Sequence, residues 1–244
     1  PFISKGDIEK FEIDNLPNID EQQRIVAKLD VTFTGIDKNI IAIEKNINNS
    51  KKLFLDILDN LVNETNLGKK ILLGEVCTLS QGLAINKATK HLLVTKSNKP
   101  LIRIKDLISN TVQKYIDTKY ENKKTSVNKE DLIFTRTGSL GLVFRGREGV
   151  LHNNSFKVEP KNILSKDYMY WWLQNSTFLK KIHILARKAA QPDISHKLFG
   201  SQYIIVPTLQ KQKEILEKVE KCMLGTKTLT ELYKNKLKNF IQLK

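Results

Sequence analysis

Apolar residues recur after Pro17 at Leu29, Phe33, Ile36, Ile40, Ile43, Ile47, Phe54, Ile57 and Leu61, a 4-3-4-3 spacing broken only by Ser50. This is the seam of a heptad repeat, which keeps one stripe of an α-helix against a partner. Asp20 is the expected N-cap and Asn66-Leu67-Gly68 supplies a stop, so the pattern predicts one long helix within residues 17–66. At 1.5 Å per residue, a helix of about 45 residues extends about 67 Å. Gly35 falls inside it and weakens it without breaking it. A fainter seam returns at Val219, Met223, Thr226, Thr230, Tyr233, Leu237 and Phe240, with Leu229 and Leu232 beside it, and predicts a second long helix over 207–244. An apolar stripe of such length is a liability in water, so each helix is expected to cover the other. Heptads alone leave the relative direction of the two helices open.

The intervening segment has another grammar. Short β-like runs, Leu101-Ile102-Arg103-Ile104, Asp131-Leu132-Ile133-Phe134, Leu142-Val143-Phe144 and Tyr203-Ile204-Ile205-Val206, alternate with Gly, Asn and Lys clusters, which predicts a mixed domain with several strands. One helix is expected from Asp167 to Ile182, capped by Ser165, with Met169, Trp172, Leu173, Leu179 and Ile182 on its apolar face. Trp171 and Trp172 are adjacent and cannot share a helix face, so one should fill the core while the other reaches a neighbouring element.

The two helix starts are copies of each other. Leu16-Pro17-Asn18-Ile19-Asp20-Glu21-Gln22-Gln23-Arg24-Ile25-Val26-Ala27-Lys28-Leu29 returns as Val206-Pro207-Thr208-Leu209-Gln210-Lys211-Gln212-Lys213-Glu214-Ile215-Leu216-Glu217-Lys218-Val219, with Pro, Gln, Ile and Lys identical at matched places. Further upstream, Pro1-Phe2-Ile3-Ser4 resembles Pro192-Asp193-Ile194-Ser195. A repeated element generally packs against its twin.

Composition narrows the class. A chain of 244 residues with 40% hydrophobic content can bury one or two ordinary cores, and it shows neither a membrane span nor a secretory signal. Cys77 and Cys222 have no metal-type spacing and read as buried thiols in a reducing, cytoplasmic setting. The formal charge of +15 is concentrated: residues 71–206 hold 22 Lys and Arg against 10 Asp and Glu, whereas residues 17–65 hold 6 against 8. Basic charge concentrated in one globular segment points to a polyanionic partner, most simply nucleic acid.

The catalytic patterns are incomplete. Gly141-Leu142-Val143-Phe144-Arg145-Gly146 has the glycine spacing of a phosphate loop, but Arg147-Glu148 stands where Lys and a hydroxyl residue are required. No G-x-G-x-x-G follows a strand, and no Asn-Pro-Pro-aromatic sequence is present to hold an exocyclic amine. Asp106 with Glu121-Asn122-Lys123 imitates a metal-dependent nuclease, although Glu-x-Lys also occurs at Glu159-Pro160-Lys161. His91, His152, His183 and His196 are scattered, so no metal or cofactor is expected. What remains suits DNA: Arg136-Thr137-Gly138-Ser139, Arg145 and Arg147, and His152-Asn153-Asn154-Ser155, since Arg reads guanine, Asn reads adenine, and Lys and hydroxyls take phosphates. The candidate DNA-binding set is Lys87, Lys90, Arg103, Lys105, Lys123, Lys124, Arg136, Thr137, Ser139, Arg145, Arg147, Asn153, Asn154, Arg187 and Lys188, and sequence does not show that its members converge.

This combination is similar to the specificity subunit of type I restriction-modification enzymes. The resemblance rests on Gln191-Pro192-Asp193-Ile194-Ser195, on the strand, Pro turn and Gln-bearing helix start at Ile204–Ile215, and on the upstream copy from Leu16. It also rests on Leu72-Leu73-Gly74-Glu75-Val76 with Gln81-Gly82, and on the interior runs Asp131–Gly141 and His152–Phe156. It implies an α+β fold in which one mixed α/β target recognition domain, 67–206, is flanked by two long helices that pair as an antiparallel coiled coil, with 1–16 the tail of a preceding recognition domain. It also implies a non-catalytic chain that reads half of a bipartite target while its helices dock methyltransferase-bearing modification subunits. Nuclease and translocase work would belong to a third subunit. A chain with one such domain is either a fragment or a half-subunit that pairs with a second copy. Two other classes stay open: a coiled-coil assembly protein that binds DNA without sequence preference, and a small metal-dependent nuclease around Asp106, Glu121 and Lys123.

Overall fold

The structure, a computed structural model, describes residues 3–10, 15–64, 66, 68–187 and 191–243. Pro1 and Phe2 of the repeat, Leu67 of the expected helix stop and Lys188 of the candidate set lie outside these residues. A short helix α1 (Lys5–Glu9) precedes α2 (Ile19–Asn63), which runs 45 residues without interruption. Its cap is Asn18 rather than Asp20: Asn18 Oδ1 accepts the Glu21 N–H at 2.9 Å. Asp20 sits instead in the first turn, where a negative charge favours the positive end of the helix dipole.

The middle of the chain forms β1 (Gly68–Leu72), α3 (Leu73–Val76), β2 (Cys77–Gln81), β3 (Leu93–Val94), β4 (Leu101–Ile102), α4 (Ile104–Ser109), β5 (Tyr115–Ile116), β6 (Ser126–Val127), β7 (Leu132–Thr135), β8 (Val143–Phe144), β9 (Gly149–Leu151), β10 (Ser155–Pro160), α5 (Lys166–Trp172), α6 (Ser176–Ala186), α7 (His196–Gly200) and β11 (Tyr203–Pro207). α8 (Leu209–Gln242) follows, 34 residues long. The helix expected from 167 to 182 is two helices, because Asn175 leaves helical geometry and its side chain accepts the Phe178 N–H at 2.8 Å to start α6. Trp172 packs on Phe178, and Trp171 meets Phe54 of α2 edge-on at 5.7 Å.

Four antiparallel strands lie in the order β2-β10-β7-β8, a smaller sheet has the order β4-β9-β6 with β4 and β9 parallel, and β3 pairs with β5. β7 is buried on both faces, which is why it reads as an unbroken apolar run rather than an alternation. Its Leu132 and Phe134 join the main core with Phe156 and Phe199, while Ile133 faces a second cluster with Ile102, Leu107, Val127 and Leu151. The first and last strands of the segment, β1 and β11, pair antiparallel with Gly68 opposite Pro207. A Cβ at Gly68 would meet the Val206 carbonyl oxygen at 2.1 Å, so this closure requires glycine.

Two compact units result, one made of residues 52–226 and the other of 1–51 with 227–244. Each therefore contains one part of α2 and one part of α8, the end of α2 with the start of α8 in the first, and the start of α2 with the end of α8 in the second. The two helices are accordingly antiparallel. The 52–226 unit is wider than 67–206 because its core takes Leu58 and Val62 from α2 and Ile215 and Val219 from α8, all at most 3% exposed. Burying side chains of this size is worth about 1.5–3 kcal/mol each. Phe54 and Leu61 pack against the same core, and Ile57 is half-buried beside it.

In the other unit Ile36 and Ile43 are buried and Phe33, Ile40 and Ile47 half-buried on α2, and α8 carries a half-buried stripe of Thr230, Tyr233, Leu237 and Phe240. Two expected seam residues are exposed. Met223 is 42% exposed because the stripe on α8 passes from Val219 through the half-buried Cys222 and Thr226. Leu29 is 47% exposed, in the part of α2 by which it exceeds the 34 residues of α8. Cys77 is buried and its thiol donates to the Leu73 carbonyl at 2.9 Å. No helix among the described residues is long and apolar enough to cross a membrane.

Candidate nucleic-acid interface

The turn between β9 and β10 carries Asn153 and Asn154, and its backbone is held from three directions. The Asn153 N–H donates to the Leu83 carbonyl at 3.0 Å, the Asn153 carbonyl accepts from Gln81 Nε2 at 2.6 Å, and the Asn154 carbonyl accepts from the Arg136 N–H at 2.9 Å. The Asn153 carboxamide makes no hydrogen bond among the described residues, and the Asn154 side chain lies against His152. Arg136 and Thr137 follow directly on β7. The next residues fold back, with Thr135 Oγ1 donating to the Ser139 carbonyl and accepting the Leu142 N–H at 2.8 Å. Gly141 in this turn has φ +78°, and a Cβ there would press on His183 Nε2 at 2.7 Å, so the glycine shapes the turn.

The segment before α7 brings the third side. The Ile194 N–H donates to the Arg136 carbonyl at 2.9 Å, and Asp193 takes the Arg136 guanidinium on two oxygens, Nε at 2.8 Å and Nη2 closer still. Arg136, Thr137, Asn153, Asn154, Gln191 and Asp193 together line one open cleft of about 400 Å³. His196 lies edge-on against Phe156, its Nε2 buried without a hydrogen-bond partner among the described residues. Burial, and then the Arg136 charge, hold His196 below the ordinary histidine pKa, against a smaller opposing pull from Asp193. His152 is lowered in the same way, by burial first and then by Arg103.

The other candidates divide into two groups. Lys87, Lys90, Lys123 and Lys124 are exposed and form no ion pair among the described residues. Their loops wrap one small core in which Ile85 and Leu92 on one side and Tyr120 on the other pack on Leu83, Leu101, Ile116 and Val150. The second group is already engaged. Arg103 holds the buried Asp106 at 2.6 and 2.8 Å, Lys105 donates to Gln113 at 2.7 Å, and Arg145 pairs with Asp167 at 2.6 Å while lying 4.3 Å over the Tyr170 ring. Arg147 reaches Asn110 and the Leu107 carbonyl. Ser139 is exposed on its turn and Arg187 caps the end of α6. The nuclease geometry is not assembled: both Asp106 oxygens face Arg103, and no cluster of three or more His, Cys, Asp or Glu side chains suited to a metal occurs among the described residues. Asp193 and Gln81 are the residues that sequence reasoning did not place in the site. Their partners lie 57 and 72 residues away, and no local pattern announces them.

The model for the type I restriction modification DNA specificity domain matches residues 68–239, most of the chain. The chain belongs to that family. Among curated proteins, the type I specificity chain is 32% identical over 100 residues to the MjaVIII specificity subunit of Methanocaldococcus jannaschii, covering 40% of this chain and 23% of that protein. It is 21% identical over 248 aligned positions to the EcoBI specificity subunit of Escherichia coli, covering 97% of this chain and 50% of that one. Among solved structures, it superposes with TM-score 0.76 and 15% identity on a chain described under complex assembly and conformational transition of the type I R-M system, over 93% of this chain and 58% of that one. The HsdS subunit from Thermoanaerobacter tengcongensis gives TM-score 0.60, also at 15% identity, with the same coverage. These neighbours share the fold: a mixed recognition domain with a long helix on either side. The chain spans half or less of the curated relatives' length.

Proposed function

We propose that the chain is the sequence-reading part of a type I specificity subunit, that its 52–226 unit reads one half of a bipartite double-stranded DNA target, and that it carries out no catalysis itself. The observation that supports this reading is the division of labour on one domain. Uncommitted lysines at Lys87, Lys90, Lys123 and Lys124 suit phosphates, and a separate cleft of neutral carboxamides on an immobilised backbone suits base edges. The long helices then serve as a spacer that docks modification subunits.

The second half of the target would be read by another recognition unit at the start of α2. Gln212 is buried at 1% exposure, accepts the Ser165 N–H at 2.8 Å, and donates to the carbonyls of Ile163 at 2.8 Å and Pro207 at 2.9 Å. Its counterpart Gln22 makes the matching bond to the Pro17 carbonyl at 2.6 Å and no other among the described residues, and Ile25 beside it is 38% exposed where Ile215 is 3% exposed. A second copy or a further domain of the same fold suits that bare hook.

The test is methylation of a random-sequence DNA library by the chain assembled with its modification subunits. A single bipartite sequence should be modified, and excess poly(dI-dC) should leave it preferred. Loss of all sites together under competitor would favour a non-specific assembly protein instead.

A further inference from the structure

Resting on the reading of this domain as a DNA reader, we propose that Asp193 is a positioning residue that converts Arg136 from a general phosphate binder into a reader of guanine. Asp193 binds the Nε and Nη2 side of the guanidinium. Nη1 makes no hydrogen bond among the described residues and is not among the buried atoms lacking a partner, so it stays accessible in a residue that lines the cleft. The carboxylate neutralises the cation, which removes most of its attraction for phosphate. It also fixes the plane of the fork, so that the remaining N–H groups meet the two acceptors of a guanine edge, O6 and N7, in one orientation. Both partners are largely buried, at 22% and 29% side-chain exposure, so little rotamer freedom is left to lose on binding.

The surroundings agree with a base edge rather than a phosphate. Thr137, Asn153, Asn154 and Gln191, which complete the lining, are all neutral. His196, which feels both charges of the pair, is held toward its neutral form. Exposed cations without an ion pair among the described residues stand outside the lining, at Lys87, Lys90, Lys123 and Lys124 on other loops and at Arg187 and Lys197.

Selection from a random DNA library by the full chain, alone and assembled with modification subunits, tests this with wild type, Arg136→Lys and Asp193→Asn. The wild-type motif should contain a guanine at which Arg136→Lys lowers discrimination by about tenfold or more, the loss of a bidentate contact. Asp193→Asn should weaken preference at the same position while steepening the salt dependence of overall binding by about 0.9, one added phosphate contact. A purely structural clamp would not do this, since its loss lowers affinity without a gain in salt slope. Asp193→Glu covers the case in which Asp193→Asn does not fold, and should retain the guanine. A motif unchanged in Arg136→Lys, or an Asp193→Asn protein that folds and binds with unchanged motif and slope, overturns the inference alone. A wild-type chain that selects no motif in either setting overturns the proposed function and this inference with it.

Discussion

Gln212 and Gln22 occupy matched places in a repeated sequence, and their substitution by alanine should have very different consequences. Gln212 makes three hydrogen bonds at 2.8–2.9 Å, two of them to the backbone of the loop at Ile163 and Ser165. At about 1 kcal/mol net per bond, with an added penalty for donors and acceptors stranded away from water, Gln212→Ala should cost about 3–5 kcal/mol. Gln22 makes one bond at a solvent-facing site, so Gln22→Ala should cost about 0.5 kcal/mol. Equilibrium urea unfolding followed by tryptophan fluorescence separates the two, because Trp171 and Trp172 both lie in the 52–226 unit and report on its core. Gln212→Glu sharpens the test. It keeps an acceptor for Ser165 but sets a carboxylate against two carbonyl oxygens, so it should lose more than the alanine variant at pH 7 and recover as the pH falls. A Gln212→Ala protein within 1 kcal/mol of Gln22→Ala would refute the assignment of Gln212 as the bolt between helix and domain.

Three further outcomes are expected. His152 and His196 are both held below the ordinary histidine pKa of about 6.5, so the unfolded chain binds more protons than the folded one as pH falls through that value. Stability should therefore be full above about pH 7.5 and decline toward pH 5, with a flatter profile in a His152→Gln, His196→Gln double variant; identical profiles, or imidazole NMR titrations at or above pH 6.5, would contradict this. Replacing Lys87, Lys90, Lys123 and Lys124 with alanine should reduce the slope of log K against log salt by about 0.9 per phosphate lost and leave the preferred sequence unchanged, measured by fluorescence anisotropy with a changed motif as the contrary result. The Cys77 thiol is buried and pushed up to about 12, so a thiol-specific chromogenic reagent at pH 8 should titrate Cys222 alone in the native protein and both cysteines in denaturant. Rapid labelling of Cys77 in the folded state would count against its burial.

The long helices were legible because their signal is periodic over tens of residues and does not depend on what they touch. Periodicity still missed Leu58 and Val62, since α2 turns from facing a helix to facing a domain, and a single heptad register cannot describe two faces. The run at Leu132–Thr135 read as a strand because both its faces are buried. By contrast, β3, β5 and β6 are only two residues long and are held by partners far along the chain, so no alternation could mark them. Within the candidate interface the residue types were legible and their availability was not. Arg103 and Arg136 look equivalent in sequence, yet Arg103 is closed off by Asp106 three residues away, whereas the fate of Arg136 depends on Asp193. The convergence of Asn153 with Arg136 follows from the pairing of β7 with β10, and Gln191 is brought to them by the bonds of Asp193 and Ile194 to Arg136, across more than fifty residues.

The pairing of β1 with β11, bolted by Gln212, also sets an order of events for the nascent chain. Gly68 meets Pro207 only after the intervening residues have been made, and Ile215 and Val219 enter the core later still. Contacts of such long sequence separation form slowly, and a core that lacks its last wall stays open. On the ribosome, the domain cannot complete its fold until the first three turns of α8 have left the exit tunnel.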